Sequence, residues 1–178
     1  MSASGNSLVG SANLITKVYF PRIVVPASAA LAGLLDFFIA LFVLGALMIY
    51  YQFVPGWGIL LFPFLVAITF LCAVGVGLWL SALNVQYRDI RYAIPFLIQV
   101  WLFVSPVIYP MSLVKGNYQW LLALNPMGGV IHAYRASLLG HQPIDWRLLA
   151  LSALIIVALF LGGLYYFRRM EKVFADVV

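Results

Sequence analysis

From residue 37 to residue 87 the chain carries no Lys, Arg, Asp or Glu, and neither do residues 92–114 or 148–167. Runs of that length fix the solvent before they fix the fold. Charged residues are 8% of the chain, against about 25% in an ordinary soluble domain, too few to cover a water-facing surface. A membrane-spanning helix needs roughly 20 mostly apolar residues. Four windows meet that length, at 24–52, 57–83, 92–113 and 148–167. No stretch alternates apolar and polar residues over about ten positions, so the pattern favours helices over a β-barrel. No basic segment leads into a short apolar core and cleavage site, so none of the windows is a signal peptide. The expected fold is all-α: one polytopic membrane helix bundle over 1–178, with four transmembrane helices and short interfacial helices at the outer face.

The distribution of the net charge of +5 matters more than its size. There is no basic run of the kind that tracks phosphates, so no nucleic-acid partner is expected; membrane lipids surround the chain instead. With four spans, both termini and the loop 84–91 share one side. That side holds Lys17, Arg22, Arg88, Arg91, Arg168, Arg169 and Lys172; the other holds Lys115, Arg135 and Arg147. Positive charge favours the cytoplasm, so both termini are placed there. The lone cysteine, Cys72, lies within a span and has no internal partner.

Residues 1–22 begin small and polar and turn amphipathic. Asn13 suits a helix N-cap ahead of Leu14, Ile15, Val18 and Tyr19, and Pro21 ends that helix before the first span. Pro55-Gly56 is a turn signal that makes the first two spans a hairpin. Small residues at four-residue spacing, Ala29 with Gly33 and Ala73 with Gly77 and Ser81, suit close helix packing. Residues 114–147 are apolar but broken by Asn125-Pro126 and Gly128-Gly129, and fit two short helices at the outer interface.

Catalytic patterns are missing. The sequence has no phosphate-binding G-x-x-x-x-G-K-[ST] loop, no Cys/His set at metal-ligand spacing and no G-x-S-x-G. His132 and His141 have no carboxylate between them and suit interfacial hydrogen bonding. Asp36 is different. It falls about 18 Å along a helix starting near Val24, near mid-membrane, where a carboxylate is costly. No span supplies a cation, so it is either protonated or lines a watery path. Aromatic residues collect near both interfaces, as a membrane belt does. Those of the third span could also stack on sugar rings. There Gln99 and Ser105 are polar, Trp101 and Tyr109 aromatic, and Pro106 and Pro110 interrupt the ladder near the outer end.

One inner turn is more charged than topology requires. The stretch QYRDIRY places Arg88, Asp89 and Arg91 between Tyr87 and Tyr92. It is either an anchor with a surface ion pair worth about 0–1 kcal/mol, or a docking surface rich in the Arg and Tyr that interfaces favour.

Three stretches together resemble a known family. NSLVGSANLITKVYFPRIVVP (6–26), LNVQYRDIRYAIPFLIQVWLFVSPVIYP (83–110) and LNPMGGVIHAYRASLLG (124–140) are similar, in order, to the permease subunit of type-2 ABC exporters. Within these the likeness is to exporters of polysaccharide, such as O-antigen, capsule or teichoic acid. The resemblance implies six spans per subunit, a permease homodimer, and two copies of a separate ABC ATPase subunit that binds ATP and Mg; this chain itself would hold no cofactor and be no enzyme. It implies a coupling role for Lys17, Tyr19, Phe20, Pro21 and Arg22, with Tyr87, Arg88, Asp89 and Arg91 on the same side as further contact candidates. It implies a translocation path past Asp36, Gln99, Trp101, Ser105 and Tyr109, and an outer gate built from Tyr118, Trp120, Asn125, Pro126, His132 and Arg135.

The family carries an amphipathic helix and two further spans ahead of the counterpart of Asn6, so the resemblance implies a truncated chain or a misassigned start at Met1. It also often carries an acidic residue where His132 stands and Trp where Ala136 stands, whereas Arg135 fits. The expected function is export of a lipid-linked polysaccharide across the bacterial inner membrane. Export of a drug or small lipid, a membrane glycan-handling enzyme and a non-transporting fragment are the rivals.

Overall fold

The computed structural model describes residues 23–53, 56–87, 89–107, 109, 124–139 and 143–171. Every regular element among them is helical: α1 (Val24–Tyr50), a 3-10 turn (Trp57–Leu61), α2 (Phe62–Gln86), α3 (Ile90–Val104), α4 (Pro126–Leu139) and α5 (Trp146–Glu171). The amphipathic helix expected before Pro21, the Pro55 turn and the first of the two outer helices fall outside these residues.

Three segments are long and apolar enough to cross a membrane: α1, the 3-10 turn with α2, and α5, at 27, 30 and 26 residues. The fourth window, expected at 92–113, holds a shorter apolar helix. α3 has 15 residues, about 22 Å at 1.5 Å per residue. It stops at Ser105-Pro106, where the missing proline N–H ends the ladder; Val107 N–H closes a tight turn on Ser105 O instead, at 2.7 Å.

The ends have local causes. At the end of α1, Gln52 N–H reaches Ile49 O (3.1 Å) and Phe53 N–H reaches Met48 O (2.8 Å), the paired bonds of a Schellman motif. Gln52 takes the left-handed position, φ 53°, that glycine fills more cheaply. Pro63 sits in the first turn of α2, where its fixed φ suits the helix. Asp145 starts α5, its Oδ1 accepting from Arg147 N–H (3.0 Å) and Leu148 N–H (3.2 Å). Arg168 and Arg169 stand in the last turn of that helix, where cations complement its dipole.

The Cα framework divides into two compact units. Among the described residues, the first takes those from 23 to Leu31, Phe70–Leu102 and those from Ile156 to 171. Its core is Ala30, Val74, Leu78, Ala82, Val85 and Phe167, with Phe70, Phe160 and Leu164 packed against it. Here α2 and α5 meet at glycines: a Cβ on Gly163 would lie 2.6 Å from Gly75 O, and one on Gly75 would lie 2.9 Å from Phe160 Cα. The four-residue series Ala73, Gly77, Ser81 is half right, since Gly77 and Ser81 are buried, but the tightest approach runs through Gly75. The Ala29–Gly33 pair does not mark a contact: a Cβ on Gly33 meets nothing within 4 Å.

The second unit takes Ala32–Thr69 and Phe103–Ile155. Leu65, Ile68, Val130, Ala133 and Leu149 are buried in it. Phe37, Phe62 and Tyr134 form an aromatic cluster with centroids 5.3–6.3 Å apart. α4 docks through small residues: a Cβ on Gly129 would strike Leu148 O at 2.5 Å, and one on Gly58 would lie 2.8 Å from Ser137 Cα.

Candidate functional site

In the second unit the sequence-selected residues converge on the broken end of α3. Asn125 is the N-cap of α4, its Oδ1 accepting from Met127 N–H at 3.0 Å. The same amide donates from Nδ2 to Ser105 Oγ (3.0 Å) and Val104 O (3.3 Å). One side chain therefore starts one helix and closes the other, using both faces of its amide. Pro126 follows as the first helical residue, a position its fixed φ suits.

In the third turn of α4, Arg135 spreads its guanidinium over the chain beyond α3. Nη2 donates to Val107 O at 2.6 Å and Nη1 to Tyr109 O at 3.1 Å. Those carbonyls have left the helical ladder and would otherwise need water. Tyr109 turns back, its hydroxyl within 3.3 Å of Phe103 O and 3.4 Å of Val104 O. The segment that Pro106 frees is thus held from two points on α4, Asn125 and Arg135. This is a clasp in which the cation is satisfied by backbone oxygens.

Tyr134, beside Arg135, packs into the aromatic cluster and meets Thr69 Oγ1 at 3.2 Å. Thr69 gives its own proton to Leu65 O (2.8 Å), so the neutral phenol is the donor. Burial holds Tyr134 above the usual phenol pKa, against the support the Thr69 hydroxyl would give a phenolate. His132 is half-buried on the same helix.

Of the path candidates, Ser105 is buried in this site and engaged by Asn125. Gln99 is exposed and Trp101 half-exposed on α3. Asp36 is exposed on α1 and has no hydrogen-bond or ionic partner among the described residues. No group of three or more metal-ligating side chains forms among the described residues. Tyr118 and Trp120 fall outside those residues.

In the first unit, the candidate docking loop follows α2. Tyr87, Asp89, Arg91 and Tyr92 are all exposed there, Tyr92 at 83%. The backbone is ordered by Tyr87 N–H to Leu83 O (2.8 Å), Ile90 N–H to Tyr87 O (3.2 Å) and Tyr92 N–H to Asp89 O (3.1 Å). Arg88 and the segment Lys17–Arg22, with Tyr19, Phe20 and Pro21, fall outside the described residues. Residues that sequence reasoning passed over are Trp79 and Gln86. Trp79 stacks on Tyr166 (centroids 4.9 Å, planes 12° apart), and Tyr166 donates its hydroxyl proton to Gln86 Oε1 at 3.1 Å. Only the seven-residue spacing of Trp79 and Gln86, which puts both on one face of a helix, could have signalled them.

Residues 1–139 match the family described as ABC-2 type transporter. The O-antigen export system permease protein RfbA of Myxococcus xanthus is 32% identical over 169 residues, covering 93% of this chain and 65% of that protein. A protein of the same description from Klebsiella pneumoniae is 24% identical over 184 residues, covering 99% of this chain and 70% of its own length. The chain therefore spans about two thirds of these relatives.

Proposed function

We propose that this chain, which belongs to the ABC-2 type transporter family, is the membrane permease subunit of an ATP-driven exporter of a lipid-linked polysaccharide. The similarity along 93% of the chain to an O-antigen export permease carries the reading. The helices fit it: long apolar segments, with a carboxylate, Asp36, within one of them.

In this reading the chain performs no covalent chemistry. ATP and Mg are held by a separate ABC ATPase subunit, which supplies the free energy. Its motion enters through Lys17–Arg22 and the loop of Tyr87, Arg88, Asp89 and Arg91. The permease works as a homodimer in the bacterial inner membrane, with both termini of this chain cytoplasmic by the seven-to-three division of basic residues. The glycan passes Asp36, Gln99, Trp101 and Tyr109. Residues 124–139 with Arg135 and Asn125 form the gate at the outer face.

Mild-detergent purification of the native complex tests the assembly. The expected result is a subunit carrying a phosphate-binding loop, recovered with two permease copies. Arg88→Glu with Arg91→Glu should leave membrane insertion intact and reduce ATPase recovery several-fold. Unchanged recovery would make these arginines topological anchors alone.

A further inference from the structure

We infer that Gln86 and Tyr166 are positioning residues that bind the loop after α2 to α5, so that displacement of that loop is delivered to α5. The inference rests on the reading of that loop as an ATPase contact.

The geometry is a two-rung ladder. Gln86 lies seven residues after Trp79 on α2, and Tyr166 lies seven after Leu159 on α5. Seven residues are nearly two turns, about 10.5 Å of axial rise, so each pair shares a helix face. The first rung is Trp79 Nε1–H to Leu159 O at 3.1 Å. The second is Tyr166 O–H to Gln86 Oε1 at 3.1 Å. Both rungs advance in the same chain direction, so α2 and α5 run parallel here. The Trp79–Tyr166 stack fills the space between the rungs. Beneath the indole, a Cβ on Gly163 would lie 2.9 Å from Trp79 Cδ1, so the indole packs closely on α5 at the level of the first rung.

The second rung continues into the loop. Gln86 Nε2–H reaches Tyr87 Oη at 3.3 Å, and Tyr87 O receives Ile90 N–H. A glutamine and two tyrosines thus connect the start of α3, the end of α2 and the face of α5. This rung adds little to folding, because its bonds are exposed and compete with water; Phe167, Leu78 and Ala82 already hold the helices together below it. What it adds is register. Without it, the end of α2 can shift against α5 while the core below stays packed.

Tyr166→Phe keeps the ring stack and removes the bond; Gln86→Met removes both of its bonds. Each should be assembled with its ATPase and reconstituted in vesicles. The expected result is a fall of at least threefold in glycan moved per ATP hydrolysed, with unchanged melting temperature and subunit recovery. The double variant should fall no further, and Gln86→Glu, which keeps the acceptor oxygen, should return the ratio to within twofold of wild type. A merely structural role would lower recovery and leave the ratio unchanged, which would overturn the inference.

A second readout needs no cargo. Spin labels at the exposed positions Tyr92 and Tyr165 should give a distance distribution that stays narrow in the otherwise native protein and at least doubles in width with Gln86→Met. Equal widths overturn the ladder. Predicted widths without any ATP-dependent glycan movement would sink the export reading and leave the ladder standing.

Discussion

Replacing Gly163 with alanine should loosen the first unit, although alanine is the better helix former. The new methyl would lie 2.6 Å from Gly75 O and 2.9 Å from Trp79 Cδ1. Ordinary contact begins near 3.4 Å, so the helices must separate by several tenths of an ångström. The oxygen belongs to a helix backbone and cannot rotate away. Overpacking costs about 1–3 kcal/mol, and a clash with fixed backbone falls in the upper half of that range; alanine returns about 1 kcal/mol of helix propensity, leaving a net loss of about 1–2 kcal/mol. For a chain of this size that lowers Tm by roughly 2–8 °C. Gly33→Ala is the matched control. It meets nothing within 4 Å and keeps the propensity gain, so it should leave Tm unchanged or raise it by a few degrees. The assay is thermal unfolding of both variants in one detergent, by circular dichroism. A Gly163→Ala protein as stable as Gly33→Ala would refute the close contact between α2 and α5.

Gln52→Gly relieves a left-handed residue and should stabilise the end of α1 by about 0.5–1 kcal/mol, read as slower amide exchange at Gln52 and Phe53. Arg135→Met leaves Val107 O and Tyr109 O without their charged donors; the expected loss is about 1–2 kcal/mol, seen as roughly tenfold faster exchange over residues 104–109, and unchanged exchange would contradict the clasp. Asn125→Ala removes an N-cap and a bridge, about 2 kcal/mol together. A double-mutant cycle with Ser105→Ala should return about 1 kcal/mol of coupling; additive losses would separate the two residues.

How much of this could be read in the chain depends on which interactions leave a local signature. Long charge-free runs dictate apolar helices, and three of the four appear at spanning length. Pro106 was readable as an interruption because proline acts on its own ladder. Asn125-Pro126 was readable as a break, but not as a bridge to Val104 O, because that carbonyl is 21 positions away in sequence. Arg135 looks like an ordinary interfacial cation until the carbonyls it serves are in place. Four-residue spacing found the buried face of α2 at Gly77 and Ser81, yet the closest approach at Gly75 depends on where α5 lies, which no pattern within α2 encodes. The ladder at Trp79 and Gln86 was missed for the same reason. Gln52 was missed because a left-handed glutamine has no sequence signature, whereas glycine there would have announced the helix end.

The central claim is ATP-driven movement of a lipid-linked glycan, and inverted membrane vesicles containing the native transporter test it most directly. Glycan accessible to an added glycosidase is measured before and after ATP. The account predicts that ATP converts accessible glycan to a protected pool inside the vesicles, and that a non-hydrolysable analogue does not. Accessible glycan that stays constant while the complex hydrolyses ATP would contradict it.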